Sequence, residues 1–131
     1  MDNTLYEIYN LLNRLGLTAN YAGFFHLACA VSLCVECPER LMLVTKRLYP
    51  EVARQCRTSC ESVERNLRTA SEIIWRENRS LLEELARRPL TQRPRNGQLI
   101  AILCSSFDGR ASVPKSNNTS ALTGENNTLK A

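Results

Sequence analysis

What this chain has little of narrows it before any motif is sought. It holds one histidine, one tryptophan and five glycines among 131 residues. With His26 alone, a Ser-His-Asp or Cys-His arrangement would hang on a single residue, and no nucleophile-bearing turn accompanies it. No glycine-rich phosphate loop is present. The acidic pairs Glu61/Glu64 and Glu83/Glu84 fall on the solvent faces of expected helices. Neither an enzyme nor a cofactor is expected. No internal repeat is found. The opening stretch, MDNTLYEIYNLLNR, carries two acids and is too long and polar for the n-region of a signal peptide. A reducing cytoplasm is therefore expected, with the six cysteines free and mostly buried.

Charge is missing altogether between Leu15 and Val35, a run of 21 positions that raises the question of a membrane span. Gly16, Asn20, Gly23, His26 and Ser32 interrupt it, and no cluster of Lys or Arg anchors either end. The reading is a helix buried on nearly all sides, with no membrane partner.

What is present is helical spacing. Few aromatics, five glycines and apolar residues recurring near 3.6 predict an all-α fold. A compact bundle of six to seven helices over residues 1–107 is expected, followed by a disordered tail over 108–131. Asn3 or Thr4 can cap a first helix carrying Leu5, Ile8, Leu11, Leu12 and Leu15, stopped by Gly16 in a left-handed C-cap. The apolar run Tyr21–Val35 is the second. Pro38 opens a third, with Leu41, Val44, Thr45 and Leu48 along one side. Leu48–Cys56 is a short fourth helix started by Pro50. The fifth follows almost at once, because Thr58 and Glu61 read as a capping box. Val63, Leu67, Ala70 and Ile74 form its buried stripe, and Glu61, Ser62, Arg65, Arg68, Thr69 and Glu72 stand opposite. A sixth, Ser80–Arg88, has its own capping box in Ser80 and Glu83. After the basic loop Leu90–Arg95, Asn96 caps a last helix over Gly97–Cys104.

Two helices joined by so tight a turn form a helix-turn-helix over about residues 48–76, whose second member would be a recognition helix. Charge agrees. Between Arg40 and Arg95 there are 13 Lys and Arg against 7 Asp and Glu, while the remaining 4 basic and 6 acidic residues lie elsewhere. A basic excess gathered around a helix-turn-helix is what a phosphate-binding surface needs. The same residues also describe an ordinary solvated helix, since Glu61/Arg65 and Glu64/Arg68 are i,i+4 pairs. The spacing Cys29, Cys34, Cys37 reproduces the C-x4-C-x2-C of plant-type ferredoxins. That motif lies in an irregular loop, whereas Cys29 and Cys34 fall inside an apolar helix, so no metal site is expected.

Lys46–Pro50 (KRLYP), Val63–Arg68 (VERNLR), Ile74-Trp75 and Pro94-Arg95-Asn96 followed by Leu99-Ile100-Ala101 resemble one family. It is the C-terminal DNA-binding effector domain of the stage-zero sporulation response regulator A, a bacterial transcription regulator. The resemblance runs from about Leu5 to Phe107. It implies a six-helix domain that binds double-stranded DNA as tandem copies, with contact to RNA polymerase or a sigma factor, and a cytoplasmic location. Carried over, Glu64, Arg65 and Arg68 would read bases, from a recognition helix over residues 58–76 in the major groove. Lys46, Arg57, Thr58, Ser59 and Arg95 would meet phosphates. Two positions depart: Ser62 stands where the family usually has arginine, and Glu61 where it has a small serine. Both belong to the base-reading tip, so an altered sequence preference is expected. The receiver domain that normally precedes this module is not expected here. The alternative reading is a receiverless interaction module that modulates a full-length regulator or the transcription machinery.

Overall fold

Leucine and isoleucine at helical spacing account for the first element of the computed structural model, which describes residues 3–111 and side chains through Phe107. Helix α1 (Asn3–Arg14) buries Ile8, Leu11 and Leu12. It ends in a left-handed turn, with the Leu17 amide donating to Leu12 O at 2.9 Å and Gly16 at φ +92°. A β-carbon on Gly16 would lie 2.5 Å from that of Glu77, so both backbone and space require glycine there.

Helix α2 (Ala22–Glu36) is the axle of the fold. Phe24, Leu27, Ala28, Ala30, Val31, Leu33 and Cys34 are all buried, and only Phe25 of its large apolar side chains is exposed. Apolar on nearly every side, α2 packs against α1 and against the three helices that follow. None of the helices in the described residues is long and apolar enough to cross a membrane.

The expected third helix is different in kind. Residues Pro38–Leu43 form a 3-10 helix and Val44–Leu48 a π-helical turn, separated by Leu43 at φ −137°, ψ 61°. Of the apolar side foreseen there, only Leu48 is buried; Leu41 and Val44 are half-covered and Thr45 is exposed. So narrow a stripe cannot hold a regular helix against a core.

Helix α3 (Tyr49–Cys56) carries Pro50 in its first turn and buries Tyr49, Val52 and Ala53. Arg57, left-handed at φ 56°, closes it, and the Thr58 amide donates to Ala53 O at 2.9 Å. Thr58 is thus spent on ending α3. The residue that starts α4 (Cys60–Ala86) is Ser59, whose Oγ accepts from the Ser62 amide at 3.1 Å. In place of the capping box expected at Thr58 and Glu61 there is a simple cap one residue later, at Ser59.

α4 also absorbs the expected sixth helix. Asn78 leaves helical geometry at φ −154°, ψ 61°, and the chain kinks without stopping. Asn78 Oδ1 accepts from the Leu81 amide at 3.2 Å, so Asn78 rather than Ser80 caps the second half. Glu83, freed from that role, accepts from the Leu90 amide at 2.8 Å. α5 (Asn96–Ala111) extends past the expected end at Cys104, with Leu99, Ile100, Ile102, Leu103 and Phe107 buried. The expected tail, residues 108–131, lies outside the described residues from Ser112 onward.

α2 and α4 touch where Gly23 faces Asn66. A β-carbon on Gly23 would stand 2.5 Å from Asn66 O and 3.1 Å from the Ala70 β-carbon. One turn on, Asn66 Nδ2 lies 3.3 Å from His26 Nδ1, so a neutral imidazole accepts from the amide. Burial holds the His26 pKa below its ordinary value.

Two outcomes follow. Gly23→Ala should destabilise the chain by about 1–3 kcal/mol, because backbone cannot yield as a side-chain tip can; urea unfolding would read it, and an unchanged midpoint contradicts the contact. For His26 the unfolded chain takes up its proton near pH 6.5 and the folded chain only at lower pH. Stability contributed by neutral His26 is therefore present above about pH 6.5 and is lost as pH falls toward the folded value. Between about pH 7.5 and 5.5 the wild type should lose more stability than His26→Gln; equal losses would contradict it.

Candidate nucleic-acid interface

The first five turns of α4 divide cleanly. Val63, Leu67, Ala70, Ser71, Ile73 and Ile74 are buried, and Glu61, Glu64, Arg65, Arg68, Thr69 and Glu72 are exposed. Ser62 lies half-covered at the boundary. Four of the five residues expected to read bases therefore occupy the outward side of one helix, with Ser62 at its edge.

Each arginine is lightly held. Arg65 Nη2 donates to Ser62 Oγ at 3.3 Å, and Arg68 Nη2 lies 3.5 Å from Glu64 Oε2. Both side chains of the second pair are about half exposed, at 51% and 54%. Solvent screening leaves such a contact worth about 0–1 kcal/mol, so it orients the guanidinium without tying it up. The five donors of each arginine outnumber these single partners, and a planar fork with free N–H groups can still grip an acceptor pair.

The residues expected to meet phosphate fall into three places. Arg57 and Ser59 are exposed in the turn and Thr58 is half-covered there. Because Ser59 Oγ accepts from the Ser62 amide, its own hydroxyl hydrogen remains for an outside acceptor. Arg95 is exposed just before α5. Lys46 is exposed on the π-helical turn, an element that packs on α3.

Arg95 reaches α4 through neighbours whose part was not foreseen. Asn96, expected as a cap, instead donates from Nδ2 to Glu64 O at 3.1 Å and to the Tyr49 hydroxyl at 3.2 Å, so one amide joins α3, α4 and α5. Gln98 performs the capping instead, its Oε1 accepting from the Arg95 amide at 2.9 Å. Further along, buried Ser71 donates from Oγ to Pro94 O at 2.9 Å. Arg79 stacks 4.1 Å from the centre of the Trp75 ring and donates to Leu90 O, while Glu83 holds the Leu90 amide. The segment 90–96 thus runs back along α4 like a strap, ending with Arg95 beside the turn that carries Glu64 and Arg68. The runs L-Y-P and P-R-N held a signal for this, since Tyr49 and Asn96 meet across 47 positions.

The three cysteines of ferredoxin-like spacing do not converge. Cys29 Sγ donates to Gln55 Oε1 on α3, Cys34 is buried, and Cys37 Sγ donates to Glu39 Oε1. No group of three His, Cys, Asp or Glu in the described residues is arranged to hold a metal ion.

A tight helix-turn-helix, an arginine-bearing outer ridge and a basic strap returning to it are the parts of a DNA-binding domain. The family model described as "Sporulation initiation factor Spo0A C terminal" matches residues 8–107. The match takes in every α-helix except the beginning of α1 and the end of α5. The chain belongs to that family, a DNA-binding effector domain of sporulation transcription.

Proposed function

We propose that this chain binds double-stranded DNA in a sequence-specific manner, with the N-terminal half of α4 in the major groove. One observation carries the reading: Arg65 and Arg68 stand exposed on one side of α4, each with a single weak polar partner. An arginine can take guanine O6 and N7 with two parallel hydrogen bonds. Glu64 can keep Arg68 aimed, or accept from cytosine N4, and Glu61 offers a second acceptor one turn earlier. Ser62 holds Arg65 and can itself meet a base edge. Arg57, Thr58, Ser59, Arg95 and Lys46 supply phosphate contacts, which add affinity and fix register but carry no sequence information. The role is binding alone, without catalysis. In the same reading, copies of the chain occupy tandem sites and act on RNA polymerase or a sigma factor.

Glu61 favours a second reading, an interaction module that works through another regulator, because it puts a negative charge on the tip that would enter the groove. The two readings part on direct binding: the first requires a duplex complex formed by the chain alone, and the second does not.

Arg65→Ala and Arg68→Ala should each cost about 1–3 kcal/mol of affinity for a preferred duplex and relax preference at one base pair. Arg95→Ala should weaken binding evenly across sequences and reduce the slope of log affinity against log salt by roughly 0.9. Electrophoretic shifts or anisotropy titrations at several salt concentrations check both. If Arg65→Ala and Arg68→Ala bind as tightly and as selectively as the parent, the proposed surface is wrong.

A further inference from the structure

Two of the cysteines left unused by DNA binding are neighbours in space. Cys29 on α2 and Cys56, the last residue of α3, are both half-buried and line one open groove of about 340 Å³ between these helices and α1. The groove admits a small solute, with Tyr9, Phe25 and Ser32 also on its walls. Cys29 Sγ donates to Gln55 Oε1 at 3.5 Å, which draws the thiol toward the end of α3, where Cys56 lies close enough to bear on the Cys29 pKa. The other thiols are placed differently. Cys34 and Cys104 are buried, Cys37 turns to Glu39, and Cys60 is exposed on α4.

Burial, followed by the Cys56 thiol and the Glu51 carboxylate, pushes the Cys29 pKa up to about 12. Cys29 therefore stays protonated near neutral pH and cannot be the sulfur that first attacks an oxidant. That leaves Cys56 to react first and Cys29 to resolve.

We propose that Cys29 and Cys56 form a two-thiol oxidation site, where hydrogen peroxide converts the pair to an intrachain disulfide tying α2 to the end of α3. The Cys56 thiolate attacks one peroxide oxygen. An S–O bond forms, the O–O bond breaks, and the departing hydroxide takes up a proton as water, leaving a sulfenic acid. With Cys56 oxidised, its charge no longer opposes loss of the Cys29 proton, and the Cys29 thiolate attacks the Cys56 sulfur. The S–S bond forms, the S–O bond breaks, and the hydroxyl leaves with the Cys29 proton as a second water. Two thiols and one peroxide give one disulfide and two waters. Both sulfurs are oxidised and both peroxide oxygens reduced.

The bond would act on the DNA-binding unit from behind. Cys56 directly precedes Arg57, which opens the turn, and α2 already holds α4 through Gly23. A Cys29–Cys56 link fastens both helices of the helix-turn-helix to the same axle. Closing the intervening chain into a loop also restricts the unfolded state and raises stability.

The test is peroxide treatment of the reduced full chain, followed by maleimide capping and peptide mapping by mass spectrometry. The expected product is a single linked pair, Cys29 with Cys56, reversed by dithiothreitol, in a chain that unfolds at higher urea than the reduced form. In Cys29→Ser the reaction should stop at Cys56, which dimedone then labels; Cys60→Ser should form the same link as the wild type. A link through any other cysteine, a disulfide-joined dimer, no linked pair at all, or dimedone label on other cysteines but not on Cys56 overturns the proposal. None of these readouts involves DNA, so their outcome is independent of the binding titrations above.

Discussion

Helices α2 and α4 come together at Gly23 with no room for a β-carbon, and the orientation of α4 depends on it. With no β-carbon at that position, the Asn66 carbonyl of α4 comes within contact distance of α2. That approach turns Val63, Leu67, Ala70 and Ile74 inward and leaves the opposite side of the helix in water. His26 secures the same junction by accepting from the Asn66 amide. The outward ridge of Arg65, Arg68, Glu61 and Glu64 is a consequence of this packing. An extra methyl at Gly23 would change what α4 presents without altering any residue of the ridge.

A second constraint works from the far side of α4. Arg79 and Glu83 grip Leu90, Ser71 holds Pro94, and Asn96 fastens to Glu64 and Tyr49. The first three of these contacts use side chains of α4 to satisfy backbone groups of a proline-marked segment that belongs to no helix, where an unpaired buried carbonyl would be costly. The result is a basic loop laid along α4, with Arg95 next to the Asn96 that bonds Glu64 O. The kink at Asn78 fits the same scheme. It bends α4 so that its second half meets Leu90, and Asn78 Nδ2 also donates to Arg14 O at 2.8 Å, joining the bend to the end of α1.

Much of this was legible in the residues, for reasons that differ from element to element. Helices with a wide apolar stripe, such as α1 and α4, were readable because core burial and local periodicity ask for the same pattern. Gly16 was readable because a left-handed C-cap admits few residues. The turn was harder. Thr58 and Ser59 are both competent caps, and the choice fell to Ser59 only because the end of α3 had already engaged the Thr58 amide. Residues 38–48 misled because Leu41, Val44 and Leu48 have helical spacing, while Met42, 81% exposed, shows how little of the segment the core covers. Asn78 and Asn96 are invisible to periodicity altogether, since their partners lie far away in the chain. The base-reading residues came from helix-face reasoning joined to a family resemblance. Four of the five are exposed and Ser62 is half-covered, whereas the strap that carries Arg95 emerges only in three dimensions.

The central claim is that the outer side of α4 reads base pairs. Selecting bound duplexes from a random pool with the purified chain examines it most directly. The account predicts enrichment of one short motif containing guanines for Arg65 and Arg68, lost when both are replaced by alanine. A pool that stays random after repeated rounds, at low salt where phosphate contacts are strongest, would contradict it.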